Sequence, residues 1–179
     1  MSDTLNLLDR LSRIVVNERH ALGLKPVQWE VLGYLRVANR VSRTPGGVGA
    51  YLGLTKGTVS QTLLALERKG VMTRLADPFD GRKQNLSLTP AGEALVSRDP
   101  LNTLGEALDR LSETDQVALQ TGLARLLDQS LKRRNGRPFG VCQTCRYFRS
   151  DAGEFSCGLL EQLIPAGDEK ARCIEYAAE

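Results

Sequence analysis

The sequence predicts a mainly α-helical chain with one small β-hairpin and a cysteine-ligated unit at its C-terminal end. Three observations carry that reading. Apolar residues recur at three- and four-residue steps along most of residues 1–135, the spacing of amphipathic helices. The period becomes strand-like only over about residues 71–88. All four cysteines, Cys142, Cys145, Cys157 and Cys173, stand behind a long stretch that contains none. The chain therefore divides into residues 1–135 and a cysteine-rich module of residues 136–179. At 179 residues it is long enough to bury one good core, and a second unit this small needs a metal or a partner chain.

Each element follows from local chemistry. Leu5, Leu8, Leu11 and Val15 define a first helix that Gly23 stops. Pro26 opens the second, which runs to about Asn39 and is apolar enough, through Val27, Trp29, Val31, Leu32 and Leu35, to be central. Trp29 and Tyr34 are expected in the core. The segment Arg43-Thr-Pro-Gly-Gly reads as a turn, with a short helix following from about Val48 to Leu52. Thr55 caps the next helix, which carries Val59, Leu63 and Leu66 on one face and ends at Gly70.

Val71-Met-Thr-Arg-Leu and Asn85-Leu-Ser-Leu then pair as a hairpin around a polar, basic tip. Thr89-Pro90 begins a helix expected to break near Asp99-Pro100. Leu101, Leu104, Leu108 and Leu111 mark another helix. Ser112, with Asp115 three residues on, resembles a capping box for a last helix bearing Leu119, Leu123, Leu126, Leu127 and Leu131. Lys132-Arg133-Arg134 and Asn135-Gly136 close it.

Charge is unevenly shared. Residues 1–140 carry twenty Lys/Arg against fourteen Asp/Glu, while residues 141–179 carry four against seven, so the net +3 hides a basic part that is the candidate nucleic-acid binder. Within it, Gly49, Gly53 and Val59 have the spacing a helix-turn-helix requires: a small residue where two helices meet, a glycine at the turn, and an apolar contact from the second helix to the first. The second helix then offers Thr55, Lys56, Gly57, Thr58, Ser60 and Gln61 to a major groove. Gln61 suits adenine, whose edge takes two hydrogen bonds from a carboxamide, and Lys56 and the hydroxyls suit phosphate or base edges. Arg82, near the hairpin tip and within reach of Asp80, suits a minor groove, and Lys83 a phosphate. Two helices followed by a hairpin give the order of a winged helix-turn-helix.

The segments Lys25-Pro-Val-Gln-Trp-Glu-Val-Leu, Leu52-Gly-Leu-Thr-Lys-Gly-Thr-Val-Ser-Gln, Leu66-Glu-Arg-Lys-Gly and Asp80-Gly-Arg-Lys, with Leu88-Thr-Pro-Ala-Gly, resemble the MarR family of transcriptional regulators. The resemblance covers about residues 4–133. It implies double-stranded DNA as partner and a homodimer in which the first and last helices of both subunits intertwine, setting two winged helices on a palindromic operator. The leucine stripes of residues 5–15 and 101–131 are compatible with that role, as they are with a monomer core. Two departures matter: the first motif helix is unusually rich in glycine, and Gln61 stands where the family often has arginine, so operator preference does not carry over.

Cys142-Gln-Thr-Cys145 is a tight pair, followed by single cysteines after intervals of eleven and fifteen residues. Soft thiolates at such positions suit zinc or an iron-sulfur cluster. A zinc ribbon usually brings two tight pairs, whereas one pair and two singles suit the wider ligand spread of a cubane cluster. Tyr147, Phe148, Phe155, Leu159, Leu160 and Tyr176 are candidates for a dry shell around it. The pattern is similar to high-potential-type iron-sulfur modules, a resemblance confined to residues 142–176 that implies a [4Fe-4S] cluster on the four cysteines. The alternatives are a zinc that folds the tail and a redox disulfide between Cys142 and Cys145.

The start Met-Ser-Asp-Thr has no basic stretch and apolar run of a signal peptide, and no segment is apolar enough to span a bilayer, so the expected location is the cytoplasm, away from membranes. In that reducing compartment metal ligands are expected over two disulfides. His20 is expected at solvent or an interface. With no nucleophile-base pair or phosphate loop, the chain is not expected to be an enzyme. The expected mechanism is a switch: cluster loss or oxidation reorganises the tail next to the helix ending near Arg134, altering the spacing of the two recognition helices. The rivals are a structural zinc with a small-molecule effector, and an electron-transfer or protein-interaction module.

Overall fold

The computed structural model describes residues 3–20, 23–76, 84–151 and 153–178. Among the described residues, seven α-helices, three 3₁₀ turns and seven short strands follow in order. α1 (Asp3–His20) precedes α2 (Pro26–Val37), which runs through the middle of the core with Trp29, Val31, Leu32, Tyr34 and Leu35 all buried. Around it pack α3 (Pro45–Leu52), α4 (Lys56–Arg68), the hairpin of β1 (Met72–Ala76) and β2 (Gln84–Leu88), and α5 (Pro90–Val96). Val48, Val59, Leu63, Leu66, Met72, Leu86 and Val96 complete that core. The hairpin is antiparallel, in register from Met72 opposite Leu88 to Ala76 opposite Gln84.

The capping signals act as expected. Thr55, Thr89 and Ser112 each accept a hydrogen bond from a backbone amide of the first turn of the helix they precede. The break near Asp99-Pro100 separates α5 from α6 (Leu101–Leu108), and α7 (Glu113–Arg133) follows. One boundary needs correction. The segment read as a turn before Val48 is the start of α3: Thr44 accepts from the Gly47 amide and Pro45 takes the first helical position, the same Thr-Pro signal that opens α5. α2 also stops two residues early, and Asn39 instead caps a 3₁₀ turn, Arg40–Ser42, by accepting from the Ser42 amide.

At the join of α1 with the core, Arg19 is buried. Its Nε and Nη2 donate to Oδ1 and Oδ2 of Asp99 at 3.2 and 3.1 Å, and its carbonyl accepts from Trp29 Nε1 at 3.1 Å. α6 and α7 bury no residue at all.

Beyond α7 the tail forms two small sheets. β3 (Gly140–Val141) pairs with β7 (Arg172–Cys173), and β4 (Phe148–Asp151), β5 (Glu154–Cys157) and β6 (Gln162–Leu163) form a three-stranded antiparallel meander. Phe139 anchors the tail to the winged-helix core, edge-on to Tyr34 and Tyr51 at centroid distances of 6.2 and 5.0 Å. No helix among the described residues is long and apolar enough to cross a membrane.

Candidate DNA interface and cysteine site

The helix-turn-helix is built as its glycines predict. Gly53 ends α3 with φ of +67°, a left-handed conformation that costs most side chains dearly, and its amide donates back to Gly49. A Cβ on Gly49 would meet the Leu54 carbonyl at 3.4 Å and Val59 Cγ2 at 3.5 Å, so the two helices touch at that point. Val59, Leu63 and Leu66 face inward and are buried. Thr55, Lys56, Gly57, Thr58, Ser60 and Gln61 are all exposed on the opposite, N-terminal side of α4, as expected of a recognition helix.

Thr55 Oγ1 caps α4 through the Thr58 amide at 3.2 Å and lies 2.9 Å from Thr58 Oγ1, so those hydroxyls serve the helix start as well as any ligand. Asp80, Arg82 and Lys83 lie outside the described residues. Two residues of the hairpin join the surface unannounced by sequence: Arg74, paired with Glu67 at 3.3 Å, and Gln84 line a cavity of about 620 Å³ together with Lys56 and Ser60. A strand pattern shows which residues alternate, but only the packing of hairpin on helix brings these four side chains to one groove.

The fold and this surface define a winged-helix DNA-binding architecture. Residues 22–83 match the model of the MarR family. The chain is similar to the crystal structure of an S. aureus MepR-DNA complex, with 25% identity and a TM-score of 0.58, over 72% of this chain and 99% of that one. It also resembles S. aureus MepR in its DNA-binding conformation (24% identity, TM-score 0.59, 70% of this chain and 94% of that) and wild-type E. coli MarR in its apo form (22%, 0.54, 71% and 98%). The chain has the fold of MarR-type transcription regulators. The matching family consists of transcription regulators, not enzymes. More than a quarter of this chain lies outside each of these structural matches.

In the tail, Cys142 and Cys145 bracket a 3₁₀ turn, Cys142–Thr144, in which the Cys145 amide donates to the Cys142 carbonyl at 3.0 Å. Cys157 ends β5 opposite Phe148, and Cys173 ends β7 opposite Gly140. Cys142, Cys157 and Cys173 line one cavity together with Val41, Leu160, Leu163, Ile164 and Pro165 and with the polar Asn39, Arg40, Gln162 and Asp168. The expected dry shell is not assembled: Leu160 and Leu163 line the cavity but are 37% and 66% exposed, Leu159 lies exposed, and Phe148 packs against Phe155 at 5.3 Å.

All four thiols are free. A hydrogen bond between Cys142 and Cys173 dominates their acidity: it holds the Cys142 thiol protonated, raised further by burial, and lowers Cys173 from 9.0 to about 6 despite its own desolvation. Asn39, the Glu175 backbone and Ser42 also favour the Cys173 thiolate. Soft thiol donors on one cavity fit a metal centre in kind. Among the described residues, no three His, Cys, Asp or Glu side chains converge as they would around a single ion.

Two residues that sequence reasoning passed over enter this site from the winged helix. Asn39 Nδ2 donates to Cys142 Sγ at 3.4 Å, and the Ile174 amide, beside Cys173, donates to Ser42 Oγ at 2.8 Å. No sequence signal links positions so far apart.

Proposed function

We propose that this protein is a transcriptional regulator that binds a palindromic DNA operator as a homodimer, and that its four cysteines hold a [4Fe-4S] cluster whose state tunes DNA affinity. The observation carrying the first part is the exposed N-terminal face of α4, with Lys56, Ser60 and Gln61 on a helix-turn-helix inside a MarR-family match. The S. aureus MepR complex supports DNA as partner. The homodimer is supported by the apolar faces of α1 and α7: Leu5, Leu11, Ile14, Val117, Leu123, Leu126 and Leu127 are exposed in the single chain, and a second copy would cover them.

The cluster is supported by the cavity. Three of the thiols, Cys142, Cys157 and Cys173, line one cavity, and a [4Fe-4S] cluster takes four thiolate ligands. Cys142, Cys157 and Cys173 would hold three corners and Cys145, one turn from Cys142, the fourth. Bound there, the group would supply a one-electron redox couple. The cavity wall and the hydrogen bonds to sulfur are what this chain contributes to its potential and solvent access.

Anaerobic purification with iron, sulfide and zinc analysis tests the centre. A brown protein with about four irons and four sulfides per chain is expected, and a colourless protein with stoichiometric zinc replaces the cluster by a structural ion. Selection from random duplexes, followed by titration at roughly 50 and 200 mM salt, tests DNA binding, which is expected to weaken steeply with salt. Salt-independent or absent binding ends the regulator reading. Equal affinity of loaded and metal-free dimer at one salt concentration removes the tuning role.

A further inference from the structure

Besides Phe139 against Tyr34 and Tyr51, the tail meets the winged helix at a short segment, residues 38–43. Asn39, 5% exposed, donates from Nδ2 to Cys142 Sγ at 3.4 Å and from its backbone amide to the Arg172 carbonyl at 2.9 Å. The Arg40 amide donates to Asp168 Oδ2 at 3.0 Å, and the fully buried Ser42 accepts the Ile174 amide at 2.8 Å. Ala38 forms a parallel bridge with Arg172. Asn39 Oδ1 holds the segment together by accepting from both the amide and the hydroxyl of Ser42.

The other side of the same segment belongs to the DNA-binding unit. The Ser42 carbonyl accepts Tyr34 Oη at 2.6 Å and the Thr44 amide at 2.7 Å, and Thr44 in turn caps α3. The Arg43 carbonyl accepts the Leu86 amide of β2 at 2.7 Å. Gly47, in the first turn of α3, lies so close to the Ser42 carbonyl and Tyr34 Oη that a Cβ has no room there. The segment is therefore a bracket with the cysteines on one face and the start of α3 and the wing on the other.

We propose that Asn39 and Ser42 complete the cysteine site from the winged-helix side, and that loading of that site is transmitted within one chain, through residues 38–44, to α3 and β2. This rests on the metal reading above. Its physical basis is the change in what the sulfurs offer. Metal binding requires thiolates and releases the thiol protons to solvent, so the sulfurs cease to donate to one another and only accept. The Asn39 amide bond to Cys142 becomes charge-assisted and shorter, which pins Asn39 Oδ1, and through it Ser42. Asn39 is a positioning residue for the centre. This route differs from one through α7: the recognition unit is stiffened in each subunit separately, without altering the distance between subunits.

Hydrogen exchange of the full-length chain, anaerobically reconstituted with iron and sulfide or stripped with chelator, reads this out. Loading is expected to slow exchange at least tenfold in peptides covering residues 39–48 and 84–88 as well as in the tail. In Asn39→Ala, and independently in Ser42→Ala, slowing is expected to remain in residues 136–178 and vanish from the other two segments when samples are compared at equal iron content per chain. With iron bound, Asn39→Ala is also expected to lower the midpoint potential, since an N–H···S bond favours the more negative, reduced state. Protection confined to the tail of the wild type, or shared with α7 while residues 39–48 stay unmoved, overturns the proposal and leaves the metal reading standing. A chain that takes up no metal overturns both.

Discussion

The winged-helix core and the helices flanking it use the same leucine-rich periodicity to opposite ends. Around α2, Trp29, Val31, Leu32, Tyr34, Leu35, Val48, Leu63 and Leu66 are all at most 1% exposed. Along α7, Val117, Leu119, Leu123, Leu126 and Leu127 are 40–59% exposed, and neither α6 nor α7 buries a residue. An amphipathic stripe states that a helix has a face to cover. It does not state whether the cover comes from the same chain.

The substitution expected to act most strongly lies where the two regions join. Arg19→Ala removes the cation facing the buried Asp99 carboxylate, which keeps the Leu101 amide as a donor, and losing one partner of a buried ion pair costs about 3–5 kcal/mol. Urea unfolding measures it, and a loss below about 1 kcal/mol would mean that the pair is effectively solvated. Next, Leu63→Ala empties space inside the chain and is expected to cost about 2–5 kcal/mol, independent of protein concentration. Its counterpart Leu123→Ala is expected to act through association, raising the dimer dissociation constant in sedimentation and making the unfolding midpoint concentration-dependent. Equal, concentration-independent losses for both would erase the contrast between the regions.

Smaller effects belong to the α4 surface. Gln61→Ala is expected to weaken binding to a selected duplex by about 1–3 kcal/mol and to relax preference at one base pair, seen by titrating single-base variants. Lys56→Ala is expected to weaken all duplexes alike and to reduce the salt slope by about 1. A uniform loss for Gln61→Ala would reassign that residue to the phosphate backbone.

Much of the helix-turn-helix was legible because its signals are local. Thr55 caps through an amide three residues away, and Gly53 turns the chain by its own φ. The missed start of α3 was legible too, since Thr44-Pro45 carries the signal read correctly at Thr89-Pro90, but the glycines after it looked like a turn. The Asn39 and Ser42 contacts are of another kind. They join positions 103 and 132 residues apart, and an asparagine and a serine in a short connection look like ordinary turn residues.

The sequence by itself determined most helix and hairpin boundaries of residues 1–135, and that four thiols would fall within a short stretch, because caps, turns and spacing act over a few residues. Tertiary structure alone decided which leucines go inside and what stands beside the cysteines. The tail could have hung from α7, which it follows directly. It docks instead on Tyr34 and Tyr51 through Phe139 and on residues 38–43, where the Asn39 amide and Ala38 meet Arg172 of β7 and Ser42 accepts the Ile174 amide, contacts that exist only once the tail has folded.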